Sequence, residues 1–357
     1  MHEPLARWRH GWTGTRRVVV ASSNAIVWPE TQRVLDGQGI EIVAVPLREG
    51  NGALSSAARQ AEVLISGGLP LDAAVFAQLG RARFVLRPSV GYDDIDVEAA
   101  TEHGILVGNV PDTFVEEVAN HALALILAVN RRLLRMDRFI RDGRWHAGED
   151  PWAAARPVAR LSLLTLGLIG FGTIGRLVAE RARPFGFRIL AADPYVRPEV
   201  AAPYGVTLTS LDDLLRESDI VSVHVLLTRE TRHLLDTTRL SRMKPSAMLV
   251  NTSRGPVVDE AALAGLLRAG RLAGAALDVF EIEPLDPRSP LTELENVVLA
   301  PHLGSYSVEG VVLHRQRVGR LALQAATGGL PERKVILNKD LYDRVAALPE
   351  CARVTRY

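Results

Sequence analysis

Gly170-Phe171-Gly172-Thr173-Ile174-Gly175 stands between an apolar run, Thr165 to Ile169, and a segment of helical pattern; the next apolar run ends on Asp193, 18 residues beyond Gly175. No other feature narrows the possible folds so far. A strand that enters a glycine turn and leaves as a helix belongs to a parallel βαβ unit, because parallel strands must be joined by a crossover. Gly170 permits the tight turn and Gly172 lets the backbone approach a pyrophosphate. Gly175 lets helix and strand pack closely, with the helix N-terminus, at Thr173 and Ile174, facing the phosphates. Asp193 is placed to accept hydrogen bonds from a ribose diol. Strand before, helix after and acid at this distance together specify a dinucleotide site.

The rest of the chain repeats the alternation. Arg17 to Ala21, Glu41 to Val45, Val63 to Ser66, Phe84 to Arg87 and Leu106 to Asn109 read as strands, with helical segments at Pro29 to Leu35, Leu71 to Leu79 and Asp96 to His103. Strand-like runs resume at Thr165 to Ile169, Arg188 to Ala192, Ile220 to His224, Ala247 to Asn251, Gly274 to Asp278 and Val297 to Ala300. Strands alternating with helices predict α/β architecture with parallel sheets covered on both faces. Between the two sets, Thr113 to Arg132 is apolar nearly all round from Val118 to Val129 and predicts a helix buried on most faces, within the chain or against a second subunit. Gly143 to Arg160, with Trp145, Pro151, Trp152 and Pro157, reads as loop. Ser305 to Ala325 reads as a further helix, and the tail from Gly328 as peripheral.

A length of 357 residues suggests two domains. Apolar residues at 47% suffice for a core in each, and a net charge of +1 without a basic block argues against nucleic-acid binding driven by charge. Lysine stands only at 244, 334 and 339, so nearly all positive charge is arginine. Cys351 is the single cysteine, so no internal disulfide forms. The first 15 residues lack the apolar centre of a secretory signal, and the most apolar stretches, Leu161 to Gly170 and Ala122 to Val129, are well short of the roughly 20 residues of a membrane span. These features place the expected protein in the cytoplasm, away from membranes.

Three polar residues follow strand ends of the second set: Arg254 in Asn251-Thr252-Ser253-Arg254-Gly255, Glu283 in Glu281-Ile282-Glu283-Pro284, and His302 in Pro301-His302-Leu303-Gly304. Ligands of open parallel sheets sit beyond the carboxyl ends of the strands. Hydride transfer at an alcohol carbon needs a base for the hydroxyl proton, and histidine suits neutral pH. A carboxylate beside it orients the ring, and an arginine clamps a substrate carboxylate and polarises a carbonyl.

With these segments the chain resembles the D-isomer-specific 2-hydroxyacid dehydrogenase family over roughly residues 85 to 320. The resemblance rests on Val90 to Asp96, Gly170 to Gly175, Asn251 to Pro256, Ala275 to Pro284 and Ala300 to Ser305. It implies two doubly wound parallel-sheet domains: a Rossmann NAD-binding domain over 111–302, and a flavodoxin-like substrate-binding domain split between 16–110 and 303–330. Residues 1–15 and 331–357 would be peripheral extensions. The resemblance also implies that Arg254, Glu283 and His302 are catalytic, and that the backbone at Val90 and Gly91 holds the substrate carboxylate, with Arg87 nearby. Asp278 would contact the nicotinamide amide, His224, Thr252 and Ser253 would line the cofactor cleft, and Gly304 would join the cofactor set. The implied cofactor is NAD, the substrate a small 2-hydroxy or 2-keto acid, and the assembly a homodimer built on the helix from Thr113. No metal is expected.

Two positions depart from the family pattern: Ser89 stands where many members have glycine, and Leu226 where proline often follows the His224 segment. Arg87 to Asp96, Asn109-Val110-Pro111 with Val115-Glu116-Glu117, and Phe185 to Phe187 with Asp193-Pro194-Tyr195 are similar to the C-terminal-binding-protein branch, which senses NAD as a transcriptional co-repressor. Against it, that branch carries Trp before Tyr-Ser where Ser305 precedes Tyr306-Ser307 here. Formate dehydrogenases carry Gln where Glu283 stands. A relative acting on a phosphonate or phosphite stays open, since the same three groups serve another anion.

Overall fold

The computed structural model describes residues 5–8, 17–22, 24–48, 54–68 and 70–348. The chain divides into two compact units, residues 1–113 with 307–357, and residues 114–306.

In the first unit, β1 (Arg17–Ser22), β2 (Glu41–Val45), β3 (Val63–Gly67), β4 (Phe84–Leu86) and β5 (Leu106–Gly108) form one parallel sheet in the order β2-β1-β3-β4-β5. Val18, Val19, Val20 and Ala21 are all buried, the mark of a central strand covered on both faces. One face packs against the helix Val308–Ala326 through Val318, Leu321, Ala322 and Ala325; the other packs on Val75, Phe76, Ala99 and Ala100. Ser307 caps the long helix by accepting from the Gly310 N–H.

In the second unit, β6 (Thr165–Ile169), β7 (Arg188–Ala192), β8 (Val206–Leu208), β9 (Ile220–Val223), β10 (Met248–Asn251), β11 (Gly274–Leu277) and β12 (Val297–Leu299) are parallel throughout. Their order, β12-β11-β10-β9-β6-β7-β8, reverses between β6 and β9. A crevice opens at such a switch point, beyond the carboxyl ends of the strands. Every residue of β6 is buried.

The structure corrects four expectations. The three-residue edge strand β8 was not anticipated, and part of the expected loop 143–160 is a short helix, Pro151–Ala155. The extensions are not peripheral where they are described: Trp8 is fully buried and donates to the Gly104 carbonyl, and Val335, Ile336, Leu341 and Val345 complete the first unit's core. The unit boundaries also shift. Asp112 is bound by Arg317 and Lys334 in the first unit, whereas Leu303 and Gly304 are tied to Asp278 in the second. The helix Val115–Asn130 packs Ala119, Ala122, Leu125, Ile126 and Val129 within its own unit, while Val118, Leu123, Leu127 and Ala128 are partly exposed and Ala124 is exposed. Cys351 and most of the first 15 residues lie outside the described residues. Among the described residues no helix is long and apolar enough to cross a membrane, and no group of three or more His, Cys, Asp or Glu side chains could hold a metal ion.

Candidate active site

The second unit gathers its candidate residues along one edge of the sheet. After β6 the chain turns at Gly170, φ +91°, where a Cβ would lie 2.7 Å from the His224 carbonyl oxygen. A Cβ on Gly175 would lie 2.4 Å from the Gly170 carbonyl oxygen, so the helix Thr173–Ala182 approaches its strand as closely as only glycine permits. Space around Gly172 is open, and no side chain caps the helix start. Its first N–H groups are therefore available to an anion.

Asp193, at the end of β7, holds the same turn from the other side. One carboxylate oxygen accepts from the Phe171 N–H at 2.8 Å and the other from the Tyr195 N–H at 2.9 Å. Arg197 is exposed, at the start of the helix Pro198–Ala201. At the ends of β9 and β10, His224 Nε2 and Thr252 Oγ1 are buried without a hydrogen-bond partner. Burial pushes the His224 imidazole down to about 4, so it is neutral near pH 7. Buried polar atoms are normally satisfied, and two orphans beside a glycine turn suit a polar ligand. A dinucleotide fits this set: N–H groups for phosphates, a carboxylate for ribose and unmatched polar groups beyond.

Beyond β10, the Asn251 side chain shapes the next loop. Its Nδ2 donates to the Arg254 carbonyl at 3.0 Å, and its Oδ1 accepts from Ser253 N and Oγ. Arg254 Nη1 donates to the Ser253 carbonyl at 2.8 Å. Gly255 lies so near the chain after β11 that a Cβ would meet the Phe280 carbonyl carbon at 1.8 Å. That approach brings the Arg254 loop against the segment leading to Glu283.

The last two strands bring Glu283 and His302 together. His302 Nδ1 lies 2.7 Å from Glu283 Oε2, while Glu283 Oε1 accepts from the Phe280 N–H. His302 adopts φ +53°, a left-handed conformation that costs a non-glycine residue about 1 kcal/mol or more. Asp278 holds it there. Its carbonyl accepts from His302 N, and its two carboxylate oxygens accept from Leu303 N and Gly304 N, all at 2.8 Å. With Nδ1 engaged, Nε2 is the nitrogen that remains for a substrate.

Arg87, Val90 and Gly91 belong to the first unit. Arg87 is buried, donates to the Ser66 carbonyl and pairs with Asp94. The Val90 carbonyl accepts from Asn109 Nδ2 at 2.7 Å, and Ser89 Oγ donates to the Gly91 carbonyl at 2.7 Å. Sequence reasoning missed Asn251, Asp94, Asn109 and His121, whose contacts are described below. Asn251 had a local signal, since an Asn at a strand end readily bonds the loop that follows.

A family model described as D-isomer specific 2-hydroxyacid dehydrogenase, NAD binding domain, matches residues 123–304. The chain is 48% identical over 244 residues to a glyoxylate reductase of Korarchaeum cryptofilum, covering 67% of this chain and 72% of that protein. It is 39% identical over 281 residues to a D-3-phosphoglycerate dehydrogenase of Mycobacterium bovis, covering 79% and 52%. The solved structure of D-lactate dehydrogenase from Aquifex aeolicus, complexed with NAD and lactic acid, is 30% identical at a TM-score of 0.75, covering 87% of this chain and 96% of that one.

Proposed function

The chain belongs to the D-isomer-specific 2-hydroxyacid dehydrogenase family, and from that premise we propose which residues do its chemistry and on what acid. It is an NAD-dependent oxidoreductase that interconverts small 2-hydroxy and 2-keto acids. When bound, the nicotinamide supplies or accepts the hydride at C2. His302 is the acid–base: its Nε2 gives a proton to the C2 oxygen as the keto acid is reduced and takes it back in oxidation. Glu283 fixes the ring through Nδ1 and stabilises the imidazolium. Arg254 clamps the substrate carboxylate and polarises the C2 carbonyl. The observation that carries this assignment is the 2.7 Å contact between His302 Nδ1 and Glu283 Oε2, which leaves one imidazole nitrogen for the substrate.

Gly170, Gly172, Thr173, Ile174 and Gly175 receive the pyrophosphate, Asp193 the adenosine ribose, and His224, Thr252, Ser253, Asp278 and Gly304 the remainder of the cofactor. The backbone of Val90 and Gly91 binds the substrate carboxylate, and Arg87, which pairs with Asp94, supplies positive charge to the same segment.

Glyoxylate is the proposed substrate. The relatives named glyoxylate reductases from Korarchaeum cryptofilum and Aeropyrum pernix are 48% and 45% identical to this chain. The test is kcat/KM with NADH across glyoxylate, hydroxypyruvate, pyruvate and longer or branched 2-keto acids. The highest value is expected for glyoxylate; a pyruvate or branched-acid value ten times higher would reassign the substrate.

The protein is further proposed to be a cytoplasmic homodimer. Leu133, Leu134, Ile140, Trp145, Trp152 and Leu163 are exposed within one 31-residue stretch, Trp152 and Leu163 by about four-fifths. Apolar exposure on that scale favours a covering surface. Light scattering at micromolar concentration should give twice the chain mass; the mass of one chain would reject the dimer.

A further inference from the structure

His121 lies on the helix Val115–Asn130, 181 residues before His302 and outside every motif that marks the site. Its Nε2 is buried and sits 3.3 Å from Asp278 Oδ1, without meeting hydrogen-bond geometry. Asp278 is almost fully buried. Burial alone would raise its carboxyl, but His121 and the Leu303 and Gly304 N–H groups outweigh that and hold it below the usual carboxylate range. Gly304 lies against the same pair: a Cβ there would meet Asp278 Oδ2 at 2.8 Å and His121 Cδ2 at 3.4 Å. The His121 ring thus forms a wall that fixes where the Asp278 carboxylate can stand.

That carboxylate does more than face a cofactor. Both its oxygens are engaged by the two residues after His302, and its own carbonyl accepts from His302 N. His302 is in a left-handed conformation that the loop must enforce. A carboxylate free to rotate would release two of the three backbone hydrogen bonds that enforce it. The imidazole would then leave its line with Glu283.

We propose that His121 is a positioning residue for the reaction: it locks the Asp278 rotamer, and Asp278 in turn holds the His302 loop so that the imidazole stays on Glu283 with Nε2 presented. This rests on the reading of His302 as the acid–base. His121 moves no proton. Its removal therefore lowers the rate of the chemical step by more than it weakens the binding of the cofactor, which Asp278 also serves.

The experiment compares His121→Ala, His121→Gln and His302→Ala with the unaltered chain, using NADH and glyoxylate. It reads kcat, the glyoxylate KM and the NADH Kd by fluorescence. His121→Ala should lose kcat by about 10- to 100-fold, the scale of a small misplacement of a reacting group, with KM within about twofold and any rise in NADH Kd well below the loss in kcat. His121→Gln, whose amide N–H reaches the place of Nε2, should recover kcat to within about threefold. Should the alanine variant not fold, His121→Asn, too short to reach Asp278, is read in its place and should lose kcat as the alanine variant would. A His121→Ala enzyme with kcat within twofold overturns the proposal. So does a loss matched by an equal loss of NADH affinity, which assigns His121 to the cofactor, or a glutamine variant as slow as the alanine one. His302→Ala separates the two readings: if it keeps near-native kcat, the acid–base assignment itself fails, whatever His121 does.

Discussion

The middle of the second sheet and its β11–β12 edge both place loops beyond strand termini, yet they stand in different states of completion. On the nucleotide side, after β6, β9 and β10, polar groups remain unmatched: His224 Nε2 and Thr252 Oγ1 are buried without hydrogen-bond partners and the helix Thr173–Ala182 starts uncapped. On the acid–base side, after β11 and β12, the groups have found one another. Asp278 engages three backbone N–H groups, and Glu283 engages Phe280 N and the His302 ring. On the proposed function, the binding side would be completed by its ligand and the reacting side is organised beforehand, leaving little reorganisation for the transition state. Variants on the two sides should therefore fail in different ways, through affinity on one and through rate on the other.

The reacting groups, with Arg254 counted among them although its loop follows β10, should give the largest effects. Arg254→Ala is expected to lower kcat/KM for the keto acid by about 10³-fold, through both carboxylate clamping and charge stabilisation, with NADH Kd within about twofold. Steady-state kinetics with a parallel fluorescence titration check this, and a parallel loss of NADH affinity would blur the division.

The binding side should respond through affinity. In Gly175→Val the added side chain meets the Gly170 carbonyl, 2.4 Å from the Cβ position, and pushes the turn out of register. A disturbance of about 2 kcal/mol corresponds to roughly 30-fold weaker NADH binding. At saturating NADH, kcat should change less than about threefold. A kcat loss that saturating cofactor does not restore would show that the two sides are coupled.

A smaller effect is expected at Asp193. Its carboxylate accepts two backbone N–H groups and repels a 2′-phosphate, which carries nearly two negative charges. Asp193→Ala should weaken NADH and narrow the preference for NADH over NADPH by about tenfold or more, as kcat/KM for both cofactors on one keto acid would show. An NADPH value already equal to that for NADH in the unaltered chain would instead promote Arg197 to a phosphate ligand.

The smallest effect concerns stability and pH. The His224 imidazole lies at about 4 in the folded chain against an ordinary 6.5. Between those values the unfolded chain binds a proton that the folded one does not. This contribution is therefore intact above about pH 6.5 and lost progressively toward pH 4, by at most about 3 kcal/mol. Urea denaturation of the ligand-free protein at pH 7, 5.5 and 4.5 should show His224→Gln losing less stability than the unaltered chain. Parallel declines would place the His224 ring in water.

What the sequence makes legible follows the same division. β2, β6 and β7 have the bounds their apolar runs suggest, and the glycine turn announces itself because each glycine answers a local steric demand. Arg254, Glu283 and His302 are visible because each follows a strand. β8 is hidden because Val206–Leu208 is too short to display alternation beside Gly205. The closing segment is hidden because Gly328, Gly329 and Pro331 read as linker. Its anchor is tertiary: Asn338 accepts from Val107 N and donates to Ile105 O and Thr101 Oγ1. His121 is hidden for the same reason, since its partner stands 157 residues away and helical spacing assigns it only to a mostly buried helix.

The division between a binding side and a reacting side is tested most directly at His302. With NADH and glyoxylate, His302→Ala should lower kcat by about 10²–10⁴-fold while NADH Kd stays within about twofold. A His302→Ala protein that turns over at a near-native rate would contradict the assignment of the proton transfer to this residue and, with it, the prebuilt acid–base end.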